Sequence, residues 1–198
     1  MPRRSVFFIT HAEVTIDPAV PIPEWGLSDT GKRRHRAFNR LGPIGGITAI
    51  YSSGERKAQD GAGILAAAVG MRSHVVEALH ENDRSATGYL PREEFEAVAN
   101  AFFASPDRSI RGWETARDAQ TRIVAAVGTI LREDPTRGDI AIVAHGGVGT
   151  LLLCHLMGCP IARAHDQPGA GGGNFFAFDR DSWALLHGWR DIAGGAPD

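Results

Sequence analysis

Two short apolar runs, each delivering a histidine, constrain this chain more than any other feature. Ser5 to Thr10 reads Ser-Val-Phe-Phe-Ile-Thr and is followed by His11. Asp139 to Ala144 reads Asp-Ile-Ala-Ile-Val-Ala and is followed by His145, with Gly146 and Gly147 behind it. Short apolar runs of this kind fit buried strands of a parallel sheet. In such a sheet, side chains at the carboxyl ends of neighbouring strands share one crevice. Two imidazoles there can serve as nucleophile, base or anion clamp. A hydrogen-bonded core histidine is the plain alternative for either one alone; a matched pair at strand ends favours a site.

The rest of the chain alternates strand-like with helix-like segments, which predicts an α/β sheet covered on both faces. The pattern predicts a helix over Leu27–Leu41, with Ser28 as N-cap and Gly42-Pro43 as its stop. A second strand is expected at Ala49–Ser52, then an alanine-rich helix at Arg56–Val69 closed by Gly70. A third strand is expected at Val75–Leu79 and a helix at Glu93–Ala104, ended by Pro106. Thr115–Arg132 reads as a long helix with Ile123, Val127 and Ile130 at core spacing. A helix at Gly149–Met157 follows the fourth strand, and Phe175–Asp179 with Ala184–Trp189 suggest a terminal strand pair. No repeat or linker interrupts this order, so residues 1–198 are expected to form a single domain. Its long irregular stretches, Ala12–Gly26, Glu81–Arg92 and Ile161–Asn174, are where a binding rim belongs.

Charge and composition exclude several classes. The net charge is −2, which gives no electrostatic case for nucleic acid or an anionic membrane. Arg3-Arg4 and Lys32-Arg33-Arg34 are too short for a binding tail and read as solvated surface. No apolar run approaches the ~20 residues of a membrane helix, and the N-terminus lacks the apolar core of a signal peptide. Cys154 and Cys159, the only cysteines, read as buried thiols in a reducing cytoplasm. His35, His74, His155, His165 and His187 show no metal-ligand spacing, so neither metal nor cofactor is expected. An oligomer is compatible with the sequence, through Arg3-Arg4 or the terminal strand pair.

Polar residues gather at four strand ends: Thr10-His11-Ala12-Glu13, Tyr51 to Gln59, Leu79-His80-Glu81 and Ala144-His145-Gly146-Gly147. Imidazole, cation, carboxylic acid and a second imidazole suit transfer of an anionic group to a neutral histidine nitrogen. The stretch from His145 to Thr150 lies between strand and helix, so N–H groups there, Gly146 among them, are natural anion donors. It lacks the Gly-Lys-Ser/Thr end of a nucleotide loop. The run Gly169 to Gly173 precedes a strand and makes a poor dinucleotide fingerprint. Ser52 and Ser53 read as turn and cap residues, with no serine elbow around them.

These motifs, in this order, resemble the histidine phosphatase superfamily, also called the phosphoglycerate-mutase-like family. Leu27-Ser28-Asp29-Thr30-Gly31 and Gly112-Trp113-Glu114-Thr115 add to the likeness, which spans most of the chain. The resemblance implies a three-layer α/β/α sandwich whose mostly parallel sheet carries an antiparallel edge strand. It implies that His11 becomes phosphorylated, that His145 contacts the phosphoryl oxygens, and that Glu81 donates the proton and later activates water.

Two positions depart from the family. Its Arg-His-Gly-Glu stands here as Thr-His-Ala-Glu, and the slot of its second pocket arginine holds Lys57. A guanidinium grips phosphate with a bidentate fork, whereas lysine is a point charge and threonine a single hydroxyl. Losing one preorganised donor costs roughly 3 kcal/mol at a transition state. Arg84 is therefore expected to fill the gap, with Arg56 in reserve. The implied activity is phosphomonoester hydrolysis through a phosphohistidine on a small phosphorylated metabolite. A phosphoglycerate-type mutase and a catalytically weak, phosphatase-like anion-binding or regulatory module are the alternatives. The absence of a large lid insertion favours hydrolysis over isomerisation.

Overall fold

The first apolar run forms a strand, β1 (Ser5–Thr10), and the second forms β4 (Asp139–Ala144), its direct parallel neighbour. In this computed structural model, which describes residues 3–41 and 43–194, one sheet runs in the order β3-β2-β4-β1-β5-β6. Here β2 is Ile47–Ser52, β3 Ser73–Val75, β5 Asn174–Asp179 and β6 Leu185–Asp191. The first four strands in that order are parallel; β5 runs antiparallel to β1, and β6 antiparallel to β5, which makes the antiparallel edge.

Among the described residues five helices cover the sheet: α1 (Asp29–Leu41), α2 (Arg56–Val69), α3 (Arg92–Ala104), α4 (Ala116–Glu133) and α5 (Gly146–Leu156). Alternation along the strands divides the core. Val6 and Phe8 of β1, with Ile140 and Ile142 of β4, face Phe102, Ile123, Val127 and Leu151 from α3, α4 and α5. Phe7 and Ile9, with Ala141 and Val143, face Phe38 and Leu65 from α1 and α2.

Several boundaries differ from the sequence reading for local reasons. Leu27 is not helical; it pairs with Val14 in an isolated antiparallel bridge, and α1 begins at Asp29. Ser28 caps it, its Oγ accepting from the Gly31 N–H at 3.1 Å. Gly42, half of the expected stop, lies outside the described residues. The third strand ends at Val75, because Glu77–Leu79 coils into a 3-10 turn that buries Leu79. Thr115 is the cap of α4, not its first residue: its Oγ1 accepts from the Asp118 N–H at 3.0 Å. Arg34 is not a solvated cation. Its guanidinium donates to the carbonyls of Gly172 and Gly173 and pairs with Asp191 at 2.8 Å.

Register puts the chemistry in one place. Thr10 stands beside Ala144, and Ser52 beside Val143, so three strands stop at the same level. The next residues continue the ladder: the His11 N–H donates to the Ala144 carbonyl at 2.9 Å, and the Ser53 N–H to the Val143 carbonyl at 3.1 Å.

Candidate active site

Each backbone and ring contact of His11 is specified. Its Nδ1 lies 2.9 Å from the Ala12 carbonyl, which can only accept, so Nδ1 carries the proton and Nε2 keeps its lone pair. The Ala12 N–H donates in turn to Nε2 of His35 at 3.2 Å, and His35 fits because Gly61 of α2 has no side chain. From the other side Gly173 donates its N–H to the His11 carbonyl at 2.9 Å. Gly172, at φ +66°, sits where any Cβ would overlap that carbonyl. Burial, then the neighbouring His145, holds the His11 ring well below its ordinary pKa. It is a neutral imidazole with one open nitrogen.

His145 meets His11 edge-on, ring centroids 5.3 Å apart. It closes β4 and opens α5. Its Nε2 lies 2.9 Å from Ser53 Oγ and 3.4 Å from Glu55 Oε1; its Nδ1 is buried with no partner. Burial lowers its pKa, against the opposing pull of Glu55 and Glu81.

Lys57 is buried, pairs with the Glu55 carboxylate and donates to the Ile22 carbonyl at 2.9 Å. Burial alone would raise the Glu55 carboxyl, but His145 and Lys57 hold it at about 2. Glu55 also accepts the Glu81 N–H at 3.0 Å.

Glu81 is tied to the start of α5. Its Oε2 accepts from the Gly147 N–H, and its Oε1 from the N–H groups of Val148 and Asn82, each at 3.0 Å. A carboxylate at a helix N-terminus satisfies donors the helix cannot pair itself. Two of the N–H groups that could cradle an anion are thus already engaged.

His11 and Glu81 border a cavity of about 560 Å³ that is also lined by Asn82, Arg84, Gly146 and Gln167, whereas His145, Glu55 and Lys57 do not line it. Arg84 has no carboxylate partner among the described residues; its guanidinium stacks 5.1 Å from the Phe95 ring and 5.6 Å from Trp113. Thr10 is fully buried, and its hydroxyl is spent: it donates to Gln167 Oε1 at 2.8 Å and accepts from the Asn174 N–H at 3.0 Å. It therefore anchors the Gln167 amide, whose Nε2 occupies the space a side chain on Gly146 would need. Arg56 is exposed, beside Gly26 and Asp60, and is not part of the lining.

The structure thus brings His11, Glu81, Arg84 and Gly146 to one cavity, with His145 edge-on to His11 but fully buried and outside the lining. Thr10 and Lys57 stand behind the wall, and Arg56 lies outside. Sequence reasoning assigned no role to Glu55, just before the helix expected from Arg56, nor to Gln167 and Asp166 in an irregular loop. Asp166 accepts from the Thr150 hydroxyl at 2.9 Å, and burial raises its carboxyl pKa. Trp25 is both wall and anchor: it borders the cavity, meets Tyr89 at a tilt with ring centroids 5.8 Å apart, and donates to the Asp17 and Val20 carbonyls. Among the described residues no three His, Cys, Asp or Glu side chains converge as a metal site requires.

No curated protein matches the chain in sequence. Among solved structures, a mycobacterial glucosyl-3-phosphoglycerate phosphatase superposes with a TM-score of 0.74 at 20% identity, covering 98% of this chain and 99% of that one. YhfR of Bacillus stearothermophilus gives 0.74 at 18% identity, covering 98% of each. The alpha-ribazole phosphatase of Shigella flexneri gives 0.70 at 17%, covering 98% of this chain and 100% of its own. At such identities these likenesses establish the fold. The family model for the histidine phosphatase superfamily (branch 1) matches residues 8–189. The chain belongs to that superfamily, and its chemistry, phosphomonoester hydrolysis through a phosphohistidine, is that of the family.

Proposed function

We propose that His11 is the residue phosphorylated and that the substrate is a small phosphorylated metabolite. The observation that carries this is the His11 ring itself: neutral, its Nδ1 held by a carbonyl, its Nε2 unclaimed beside a cavity that contains Arg84. The His11 lone pair forms the N–P bond as the P–O bond to the leaving group breaks in line. Arg84 takes up charge on the phosphoryl oxygens, with His145 and the Gly146 end of α5 beside it. Thr10 acts at one remove, through the Gln167 amide it holds, and Lys57 through Glu55. Glu81 protonates the departing oxygen, then takes a proton from the water that splits the phosphohistidine. Its Oε2, which accepts a single N–H, is the oxygen better placed for that proton. Inorganic phosphate leaves and His11 is restored.

The named relatives support the substrate class. Two act on a phosphorylated glycerate glucoside and on a ribazole phosphate, and the mycobacterial enzyme has also been solved with inorganic phosphate. The chain acts as one domain, and two free thiols suit a cytoplasmic setting; no helix among the described residues is long and apolar enough to cross a membrane.

The test is a phosphate trap. Rapid acid-free quenching with ³²P-labelled sugar, glycerate and aryl phosphates should give a protein label that is stable in base and labile in acid. His11→Ala should abolish the label and phosphate release together. Label recovered mainly in an isomer of the substrate would make the protein a mutase. No label and no release on any substrate would leave an anion-binding module.

A further inference from the structure

The loop before β5 sets one carboxamide in the cavity wall and fixes which way it points. Gln167 precedes Pro168, which favours an extended backbone there. Its N–H donates to the Asp166 carboxylate at 2.8 Å, and Asp166 also accepts from the Thr150 hydroxyl of α5. The side chain is held separately: Oε1 accepts from the Thr10 hydroxyl at 2.8 Å and from Nδ2 of Asn174 at 3.2 Å. The second contact decides which end of the amide is oxygen. Nδ2 of Asn174 also donates to the Pro168 carbonyl at 3.1 Å. A carbonyl can only accept, so the Asn174 amide cannot be turned round. A donor therefore faces Gln167, and only Oε1 can meet it. Nε2 is the free end.

The surroundings of Nε2 give that end a use. Gln167 lines the same cavity as His11, Arg84 and Gly146. Its Nε2 lies against Gly146, the first residue of α5, in the space any Cβ there would fill. Among the described residues no acceptor meets Nε2, and it is not one of the sealed, unpaired atoms of the interior; its donors are left for the cavity. We propose that Gln167 is a catalytic residue whose Nε2 donates to the phosphoryl oxygen that Arg84 leaves unheld, in place of the guanidinium that Thr10 does not supply. The inference rests on the phosphatase reading above and adds a ligand to that site.

A transferring phosphoryl group spreads its charge over three equatorial oxygens, and one guanidinium grips two of them. Donors for the third are scarce. Lys57 is taken by Glu55 and the Ile22 carbonyl, and the Thr10 hydroxyl by Gln167 itself. The N–H groups of Gly147 and Val148 go to Glu81. Nε2 of Gln167 stands beside Gly146 with nothing else to bind. Thr10 is then a positioning residue: it contributes no donor of its own to the anion and orients that of another residue. Because the amide is fastened at its oxygen, it need not reorganise as charge develops on phosphorus-bound oxygen. It gives a hydrogen bond and no proton, so the bonds made and broken are those of transfer to His11 and then to water, unchanged.

The experiment measures kcat and KM on the intact protein for the phosphate ester that the wild type hydrolyses fastest. Gln167→Glu is the decisive variant, because it keeps an oxygen for Thr10 and Asn174 and turns only the free end from donor to acceptor. It should lower kcat/KM at pH 8 by about 10²–10³, more than Gln167→Leu does. Its deficit should shrink as the pH falls from 8 to 5, since a protonated carboxyl donates again; the deficit of Gln167→Leu should not. Thr10→Val should lower kcat when Gln167 is present and change it by less than about twofold in Gln167→Leu. Should Gln167→Glu fail to fold, as urea unfolding would show, the cycle of Thr10→Val with Gln167→Leu decides alone. A Gln167→Glu variant no slower than Gln167→Leu, with a deficit that ignores pH, would make the amide structural and overturn the proposal. A Thr10→Val effect of equal size in both backgrounds would overturn it too. Either result leaves the phosphohistidine reading standing; a wild type that releases no phosphate from any ester would remove that reading, and this inference with it.

Discussion

Lys57 and Glu55 form a buried ion pair two residues apart at the head of α2, with the ammonium also bound to the Ile22 carbonyl. The pair turns a lysine that the family's motif would place on phosphate into a structural cation. Removing one partner strands the other in a place water does not reach. Lys57→Met should therefore cost about 3–5 kcal/mol in urea unfolding. Adding Glu55→Gln to it should recover most of that loss, even though the double variant has less charge than either single one.

Arg84 carries the converse expectation. It is held by two aromatic faces, with its N–H donors left over. Arg84→Met should lower kcat/KM for an aryl phosphate by about 10²–10³ while costing only about 1 kcal/mol in stability from the lost ring contacts. Arg84→Lys should recover only part of the rate, since an ammonium cannot grip two oxygens at once. Arg56→Met, on the exposed side of α2, should change kcat/KM by less than about twofold.

Glu81 joins catalysis to folding. Glu81→Gln keeps one acceptor and turns an amide against an N–H of α5, which should lower stability by about 1–2 kcal/mol. Its effect on rate should depend on the leaving group: small for nitrophenyl phosphate, whose alcohol departs unprotonated, and large for a sugar phosphate. A uniform loss across both substrates would mean that Glu81 only shapes the site.

Acid should destabilise the protein through His35. Burial, with help from Arg34, lowers its pKa to about 4, and its Nε2 accepts the Ala12 N–H. Between pH 6.5 and 4 the unfolded chain binds a proton that the folded one refuses, so stability is full above pH 6.5 and falls on acidification. His35 alone accounts for up to about 3 kcal/mol by pH 4; His11, lowered in the same direction, adds to the slope. Unfolding free energies measured across that range should flatten in His35→Gln. Gly61→Ala should act on the same contact, pushing the His35 ring from beneath Ala12 and lowering activity with it.

The frame of the site was legible in the sequence because β1 and β4 carry their histidines on short, β-branched and aromatic apolar runs that suit buried strands. The family's pattern then supplied the roles. What stayed hidden was pairing across distance. Nothing around Gly146-Gly147-Val148 announces that these residues start a helix, because the carboxylate that caps them comes from Glu81, far away in the chain; the two glycines read as loop, and the sequence pattern puts the helix start at Gly149. The family's pattern puts Lys57 in its arginine slot, yet Glu55 claims it, and a pairwise contact of this kind leaves no mark in spacing. The family's pattern makes Thr10 a weak phosphate ligand; its hydroxyl instead holds Gln167, from a loop no periodicity describes. Arg84 was singled out for lying close to Glu81 in sequence, while the aromatic seat that holds its guanidinium comes from Phe95 and Trp113 further on.

The place of β1 in the sheet has a cost during synthesis. Of this sheet's strands β1 comes earliest in the sequence, and its neighbours β4 and β5 begin only at Asp139 and Asn174. Until they leave the ribosome, Val-Phe-Phe-Ile has no native strand beside it, and an unpaired apolar strand seeks another. Chaperone demand should thus be greatest for nascent chains between β1 and β4, and chains stalled before Asp139 should precipitate when released, whereas full-length protein should not.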